Sequence, residues 1–427
     1  MEKAVVVILN YNGKHLLEKF LPSVIAYSLP YRVIIVDNAS EDDSVSFLTA
    51  NYPSIPCIQH TKNEGFAAGY NLALQQIKSA YYILLNADVQ VTKNWITPML
   101  ALMETNKSIV ACQPKILSYY EPNKFEYAGA GGGFIDQLGY PFCRGRVFTT
   151  IEEDQGQYDD TREIFWASGA CMFLRASSFW ELGGFDPQLF AYYEEIDLCW
   201  RMQQHGYQVF YCGKSKVYHL GSATMGTDNP YKTYLKFRNR ALVCYKNGGI
   251  RLFSWKHTLL IVLDLAAALQ LLLQGKLQHS WAILKAQIDF FKLKNKYKLA
   301  LSHPNMQINN RTMSSGVYRI RAHPEKANHY PANGERLHPK RMNNPATSRG
   351  VSNLWKELKF IAASSRIFRT VNRSEKVNDY GTANDYLTSS RKLPPKRLKH
   401  VYQRILPFDY FLRGKKKFSE LDSSKMQ

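Results

Sequence analysis

Three short runs of aliphatic residues, each ending in a polar turn, limit what this chain can fold into. Val5–Leu9, Val33–Val36 and Ile83–Leu85 are continuous β-branched and aliphatic stretches, as expected of strands buried on both faces. The first runs into Asn10-Tyr11-Asn12-Gly13, the second into Asp37-Asn38-Ala39-Ser40 and the third into Asn86-Ala87-Asp88. Between the first two, Leu16, Leu17, Phe20, Leu21, Val24 and Ile25 recur at helical spacing. A short strand near Ile58 then leads to a loop over Asn63–Gly69 and a helix from about Tyr70 to Lys78. Strand and helix alternating at this pitch predict an α/β fold, a mainly parallel Rossmann-like sheet with helices on both faces. In such a sheet Asp37 and Asp88 project from one carboxyl edge, where ligands bind.

The loop Asn63-Glu64-Gly65-Phe66-Ala67-Ala68-Gly69-Tyr70-Asn71 lies between those two acids. Its glycines permit close backbone approach, and the helix start behind them favours an anion such as a diphosphate. A nucleobase near Asp37, phosphates near this loop and a divalent cation at Asp88 make one coherent pocket. Taken singly, each residue suits a helix cap or a turn equally well. Further on, Phe165-Trp166-Ala167-Ser168-Gly169-Ala170 is a candidate close-approach segment, and Gly183-Gly184-Phe185-Asp186 reads as a turn. Glu194, Glu195 and Asp197 put three acids within four residues beside Tyr192, Tyr193 and Trp200. A helix starting there favours them, and one near bound phosphates has the character of a general base. His219 follows the strand-like run Gln208–Tyr211; a lone histidine is usually structural, but imidazole is also a ligand for Mn²⁺-type ions. The run Gly129–Gly133 reads as a flexible connection.

Charge divides the chain. Residues 301–427 hold 25 Lys and Arg against 9 Asp and Glu, so +16 of the total +20 lies there and +4 remains for residues 1–300. Such an appendage suits an anionic partner, a phospholipid surface or a nucleic acid. Leu259–Leu273 is the only strongly apolar stretch; Asp264 and Gln270 interrupt it, and it falls short of the roughly 20 residues of a bilayer span. Lys256, His257, Asp264, Gln270 and Gln274 share one side of its helical wheel. Trp281, Leu284, Ile288 and Phe291 mark a second amphipathic helix flanked by Lys285, Lys292, Lys294, Lys296 and Lys298. Packing on a catalytic domain and lying in a membrane interface are both consistent with this pair, and the basic flank favours the membrane. Residues 301–400 show no sustained period and read as a poorly ordered insertion. Phe408–Phe418 mixes aromatics with lysines, as in a headgroup-level anchor. Seven cysteines without a C-x-x-C pair read as reduced thiols of a cytoplasmic protein, and Met1–Ala4 shows no signal-peptide layout.

As a set, these pieces resemble the family 2 glycosyltransferases with a GT-A fold, in particular the bacterial rhamnosyltransferase-like branch. The matching residues are Val7–Gly13, Val36–Ser40, Asn63–Asn71, Leu85–Asp88, Ser168–Ala170, Gly183–Asp186, Glu194–Leu198 and His219, in the family's order over roughly residues 4–225. The resemblance implies an inverting, metal-dependent transfer of a sugar, rhamnose among the candidates, from a nucleoside-diphosphate sugar to a hydroxyl of a glycan or lipid-linked glycan in cell-surface polysaccharide synthesis. It assigns Asn10, Asn12, Asp37, Asn63, Gly65, Asn71, Asn86 and Asp88 to the nucleotide-sugar. Trp166, Gly169, Glu194 and Asp197 fall to the donor or acceptor sugar, and Asp88 and His219 to Mg²⁺ or Mn²⁺. Glu195 falls to the general base; it stands where the family commonly has Asp, as Asn86 stands where many members have the first acid of D-x-D.

The implied organisation is a GT-A domain over 1–240, amphipathic membrane-interface helices over 241–300, a basic low-order insertion over 301–400 and an aromatic, basic tail over 401–427. The implied location is cytoplasmic, peripheral on the inner face of the cell membrane, with an anionic membrane surface as partner and no nucleic acid. A nucleotidyltransferase would need a G-x-G-T-R-type loop where Asn10–Gly13 stands. The remaining alternatives are a nucleic-acid-binding protein using the tail and an inactive scaffold of the same fold.

Overall fold

The computed structural model describes residues 2–221, 228–302 and 400–421, with 296–302 described as backbone alone. Strand β1 (Glu2–Asn10) is followed by α1 (Lys14–Ser28), β2 (Arg32–Asp37), α2 (Ser44–Asn51), β3 (Cys57–Gln59), α3 (Gly65–Leu74) and β4 (Ser79–Asn86). β1 lies between β4 and β2, parallel to both, and β3 extends β2 in parallel. The register sets Asn10 beside Asp37 and Leu9 beside Asn86, so three strand ends form one edge. The aliphatic runs serve two cores at once. Val5, Val7, Ile34, Val36, Tyr82 and Leu84 enter the core on one face, with Ala67 and Tyr70 of α3. Val6, Ile8, Ile35, Ile83 and Leu85 enter the other, with Leu17, Leu21 and Val24 of α1. Burial on both faces is why these runs show no polar alternation.

Beyond β4 the nine-stranded sheet becomes mixed. After β5 (Val89–Val91) and α4 (Thr97–Thr105), β6 (Ile109–Ser118) enters the sheet. A second, five-stranded sheet contains β7 (Gly133–Asp136), β8 (Pro141–Cys143), β9 (Arg146–Val147) and β10 (Thr150–Ile151). The main sheet resumes with β11 (Thr161–Glu163) and β12 (Cys171–Arg175), the latter antiparallel between β4 and β6. Helices α5 (Ala176–Glu181) and α6 (Glu194–Gln204) precede β13 (Gln208–His219), which runs parallel to β6 and antiparallel to β5 and β11. Three helices follow, α7 (Pro230–Lys246), α8 (Trp255–Leu273) and α9 (Leu277–Ser302).

Three sequence expectations are corrected here. The Gly129–Gly133 run is a packed passage, not a flexible connection: a Cβ on Gly133 would lie 2.1 Å from the Trp166 ring, so only glycine lets β7 pass. The tail is not an anchor at headgroup level. Its strand β14 (Val401–Tyr402) completes the second sheet in parallel with β7, and Tyr402, Leu406 and Tyr410 are buried. Phe418 packs on Phe134 and Phe142, and Leu406 N–H donates to Asp136 Oδ2 at 2.8 Å.

The third correction concerns length: the helix that carries Leu259–Leu273 is α8, 19 residues from Trp255, and so not too short for a bilayer span. In α8 the polar side faces the protein: Asp264 is fully buried, bonded to Arg240 of α7 and to Gln287 of α9 at 2.5 Å. Its outer side is apolar, leaving Val262 53 %, Leu265 47 %, Leu269 49 % and Leu273 72 % exposed, and Leu277 and Trp281 of α9 continue that surface. By length and composition α8 is apolar enough to cross a membrane, yet it packs along α9 and its buried Asp264 is tied to Arg240 of α7. The expected insertion over residues 301–400 lies outside the described residues save for 301, 302 and 400.

Candidate active site

At the carboxyl edge Asp88 follows β4 and His219 ends β13, and the β5–β13 pairing brings them together. His219 Nε2 lies 3.0 Å from Asp88 Oδ1, and its Nδ1 lies 3.3 Å from Glu126 Oε2. All three are buried. Burial alone would push the imidazole pKa down, but the charges of Asp88 and Glu126 hold it up at about 10. Glu126 was not legible as a site residue; it sits in an irregular segment, where its carboxylate accepts Ala128 N–H.

Two strands away, about 10 Å along the edge by strand spacing, Asp37 closes β2. It accepts Asn10 Nδ2 at 3.2 Å and Ser40 N–H at 2.9 Å. Asn12, with φ +50°, takes Ser40 Oγ on its own N–H at 2.9 Å and receives Glu41 N–H at 2.7 Å. Asn38 donates to Asn63 Oδ1 at 3.0 Å and to Gly65 O at 3.1 Å. Asn10, Asn12, Asp37 and Asn63 therefore form one hydrogen-bonded rim, and Asn86 ends β4 beside it.

The third part is the start of α6. Phe190, Tyr192 and Tyr193 all have positive φ, at 63°, 68° and 73°, strain that side chains of this size adopt only when held. Asn239 of α7 holds them, its amide donating to Leu189 O, Ala191 O and Tyr192 O at 2.8, 2.9 and 2.7 Å. Glu194 and Glu195 follow, each with a buried Oε2 that has no hydrogen-bond partner. Burial raises both pKa values, and the neighbouring charge of Glu195 raises Glu194 further. Backbone N–H groups and the Glu194 carboxyl act the other way on Glu195. Burial thus disfavours a second charge on this pair, and Glu195 has the backbone N–H groups that favour its ionised form.

Several expected site residues are committed elsewhere. Asp197 is fully buried against Arg201 (2.9 Å), Lys246 (3.0 Å) and Asn247 (2.9 Å). Burial opposes its charge, but those two cations and the Asn247 amide hold its pKa at about 2, so it is a structural ion. Asn71 exchanges both amide groups with the backbone of Phe185, at 2.8 and 3.0 Å, and so ties α3 to the Gly183–Phe185 turn. Trp166 is a core side chain, donating from Nε1 to Phe134 O at 2.9 Å. Gly65 makes room for Phe190, whose ring would lie 2.4 Å from an added Cβ. Nor is the start of α3 open to a diphosphate: Gly65 N–H donates to Asn63 Oδ1, and Phe66 and Ala67 N–H donate to Phe190 O. Gly169 lies against the Phe66 ring, which an added Cβ would meet at 3.0 Å.

Interactions link the parts. Lys236 of α7 lies over the rings of Tyr127 (5.7 Å) and Tyr192 (5.5 Å), joining the residue after Glu126 to the loop before Glu194. For a divalent cation, Asp88 and His219, once the imidazole has given up its Nε2 proton, would offer a carboxylate oxygen and an imidazole nitrogen close enough to share one ion, a donor pair suited to Mn²⁺ or Mg²⁺. Among the described residues no group of three or more acidic, histidine or cysteine side chains is placed to hold a metal. A two-ligand site fits an ion that takes its other oxygens from substrate phosphates and water.

Residues 5–183 match the family model for glycosyl transferase family 2. The N-acetylglucosaminyl-diphospho-decaprenol L-rhamnosyltransferase of Mycobacterium tuberculosis is 27% identical over 242 residues, spanning 52% of this chain and 78% of that protein. Rhamnosyltransferase WbbL of Escherichia coli is 25% identical over 219 residues, or 48% and 79%. Among solved structures, GalNAc-T7 with UDP, GalNAc and Mn²⁺ is similar at a TM-score of 0.45 and 17% identity, over 57% of this chain and 48% of that one.

Proposed function

Because the chain is a family 2 glycosyltransferase of the rhamnosyltransferase-like branch, with a GT-A α/β fold, we propose that it moves a sugar from a nucleoside diphosphate to an acceptor hydroxyl with inversion at the anomeric carbon. The observation that carries this reading is the pairing of the Asp88–His219 couple with two carboxylates, Glu194 and Glu195, whose Oε2 atoms are buried and unpartnered. Asp37, Asn10, Asn12 and Asn63 hold the nucleoside at the rim. Asp88 and His219 would hold a Mg²⁺ or Mn²⁺ ion, which would supply positive charge to offset the negative charge of the leaving diphosphate. Glu195 accepts the proton of the attacking hydroxyl. The Tyr192–Tyr193 segment keeps Glu195 in place and helps exclude water.

The acceptor is a glycan carried on a lipid, in cell-surface polysaccharide synthesis. Two observations support this: the Mycobacterium relative is named for a diphospho-decaprenol acceptor, and α8 and α9 leave large apolar side chains exposed, Leu269, Leu273, Leu277 and Trp281 among them. With Lys285, Lys292 and Lys294 beside that surface, the pair suits the anionic inner face of the cell membrane. The nucleic-acid alternative rests on residues 301–400, nearly all outside the described residues.

The test is a panel of UDP- and dTDP-sugars scored for hydrolysis and transfer with Mn²⁺ or with EDTA. Turnover of one donor that EDTA stops is expected. Turnover equal in EDTA would remove the metal role, and no turnover with any donor would favour the inactive scaffold.

A further inference from the structure

Buried cations normally sit beside an acid, because an unpaired charge out of water is costly. Two cations next to the candidate active site break that pattern. Arg146 on β9 is buried, donating to Tyr127 O (3.0 Å), Pro141 O (3.2 Å) and Cys143 Sγ (3.5 Å), with its guanidinium 4.4 Å from the Tyr127 ring centre. Lys236 is half-buried and faces only the rings of Tyr127 and Tyr192. Among the described residues no carboxylate is ion-paired with either of them. Lys232, one turn earlier on α7, lies 5.8 Å from the Tyr192 ring. Burial lowers the pKa of Lys236 and Lys232, and Arg146 and Lys236 respectively lower them further, as expected of like charges crowded together.

We infer that Arg146, Lys232 and Lys236, walled by Tyr127 and Tyr192, form the site for the diphosphate of a lipid-linked acceptor. This rests on the glycosyltransferase reading above. Three convergent cations match a group carrying two or three negative charges better than a single carboxylate. The acceptor is favoured over the donor by position. Tyr192 stands two residues before Glu194 and three before Glu195, on the side from which the attacking hydroxyl comes, whereas the donor's diphosphate has its own place at Asp88 and His219.

The lipid also has a route. The same first turns of α7 contact α9 through Thr233 and His279 (2.9 Å) and through Tyr234 and Asp289 (2.9 Å). Lys276, in the turn between α8 and α9, pairs with Asp228 at 3.1 Å. That turn carries the outward-facing Leu273 and Leu277. One short helix segment thus joins the cationic site to the apolar surface, as a diphosphate followed by a polyprenyl chain requires.

The experiment measures binding to the full-length protein by calorimetry, in detergent micelles. The probes are geranylgeranyl diphosphate in EDTA, geranylgeraniol as the uncharged control, and UDP and dTDP in Mn²⁺. Lys232→Gln with Lys236→Gln should weaken geranylgeranyl diphosphate at least about tenfold. Geranylgeraniol, and whichever nucleoside diphosphate binds, should stay within about twofold. Lys236→Arg, which keeps the charge, should stay near wild type and shows that the pocket still folds. Unchanged affinity for geranylgeranyl diphosphate in the double variant overturns the inference. A matching loss of the nucleoside diphosphate also overturns it, because the site would then belong to the donor. Wild-type protein that binds geranylgeranyl diphosphate, but neither nucleoside diphosphate, would support the anion site and sink the donor reading instead.

Discussion

Acids collect in two places on this molecule, and positive charge treats them differently. At the sheet edge, Asp88 and Glu126 share a single imidazole, His219, lodged between them. At the start of α6, three acids lie within four residues, but Arg201 and Lys246 both go to Asp197. Glu194 and Glu195 receive no ion pair among the described residues, and burial raises their pKa values while Asp197 falls to about 2. A carboxylate becomes a structural ion or a proton acceptor according to where the nearby cations are spent. The spacing of the acids along the chain does not reveal which.

The largest expected effect tests the uncompensated side. Glu195→Gln should lower kcat about 10³-fold and leave nucleoside diphosphate affinity within about twofold. Full activity in that variant would remove Glu195 as the base and with it this side of the contrast. Asp197→Asn tests the compensated side and should cost about 3 kcal/mol in urea unfolding at neutral pH, since it removes the buried charge that Arg201 and Lys246 share. The pH dependence has a fixed sign. The folded-state pKa, about 2, lies below the ordinary carboxylate value of 3.8, so the stabilisation is complete above about pH 4 and is lost as pH falls through 2. The gap between wild type and Asp197→Asn should close over that interval; a gap constant with pH would mean that packing, not charge, holds the network.

Asn239→Ala should sharpen the contrast, because it releases the strained Tyr192–Tyr193 loop without touching any acid. A fall in kcat of about 10²-fold with nucleoside diphosphate affinity unchanged is expected; equal losses in both would make Asn239 a general stability residue. Smallest, Glu126→Gln should weaken Mn²⁺ binding, read by electron paramagnetic resonance, about tenfold, because the partner that orients His219 loses its charge. Unchanged Mn²⁺ affinity would separate Glu126 from the metal pair.

Legibility in the sequence followed the range of the interactions. The parallel strands could be read because burial on both faces leaves an unbroken aliphatic run, and Asp37 and Asp88 could be read because they terminate such runs. Glu126, Arg146 and Asn239 could not. Each acts on residues distant in sequence, His219, Tyr127 and Leu189–Tyr192 respectively, and nothing local marks them. The wheel of α8 gave the correct two sides but not their direction, which depends on Arg240 waiting on α7 for Asp264. The same blindness to long-range pairing made the tail look like a free basic arm, although its aromatics fill the second core.

That last arrangement bears on how the protein is made. Among the described residues β7 obtains its parallel neighbour from Val401 and Tyr402, so the main sheet is fully synthesised long before this pairing can form. A nascent chain halted upstream of residue 400 carries an open strand edge at Gly133–Asp136, with Phe134 and Phe142 lacking their Phe418 and Tyr402 cover. Such a fragment keeps the whole sheet edge of Asp37 and Asp88 and is nonetheless a substrate for chaperones and proteases. Shortened expression products should therefore be cut after the second core is complete.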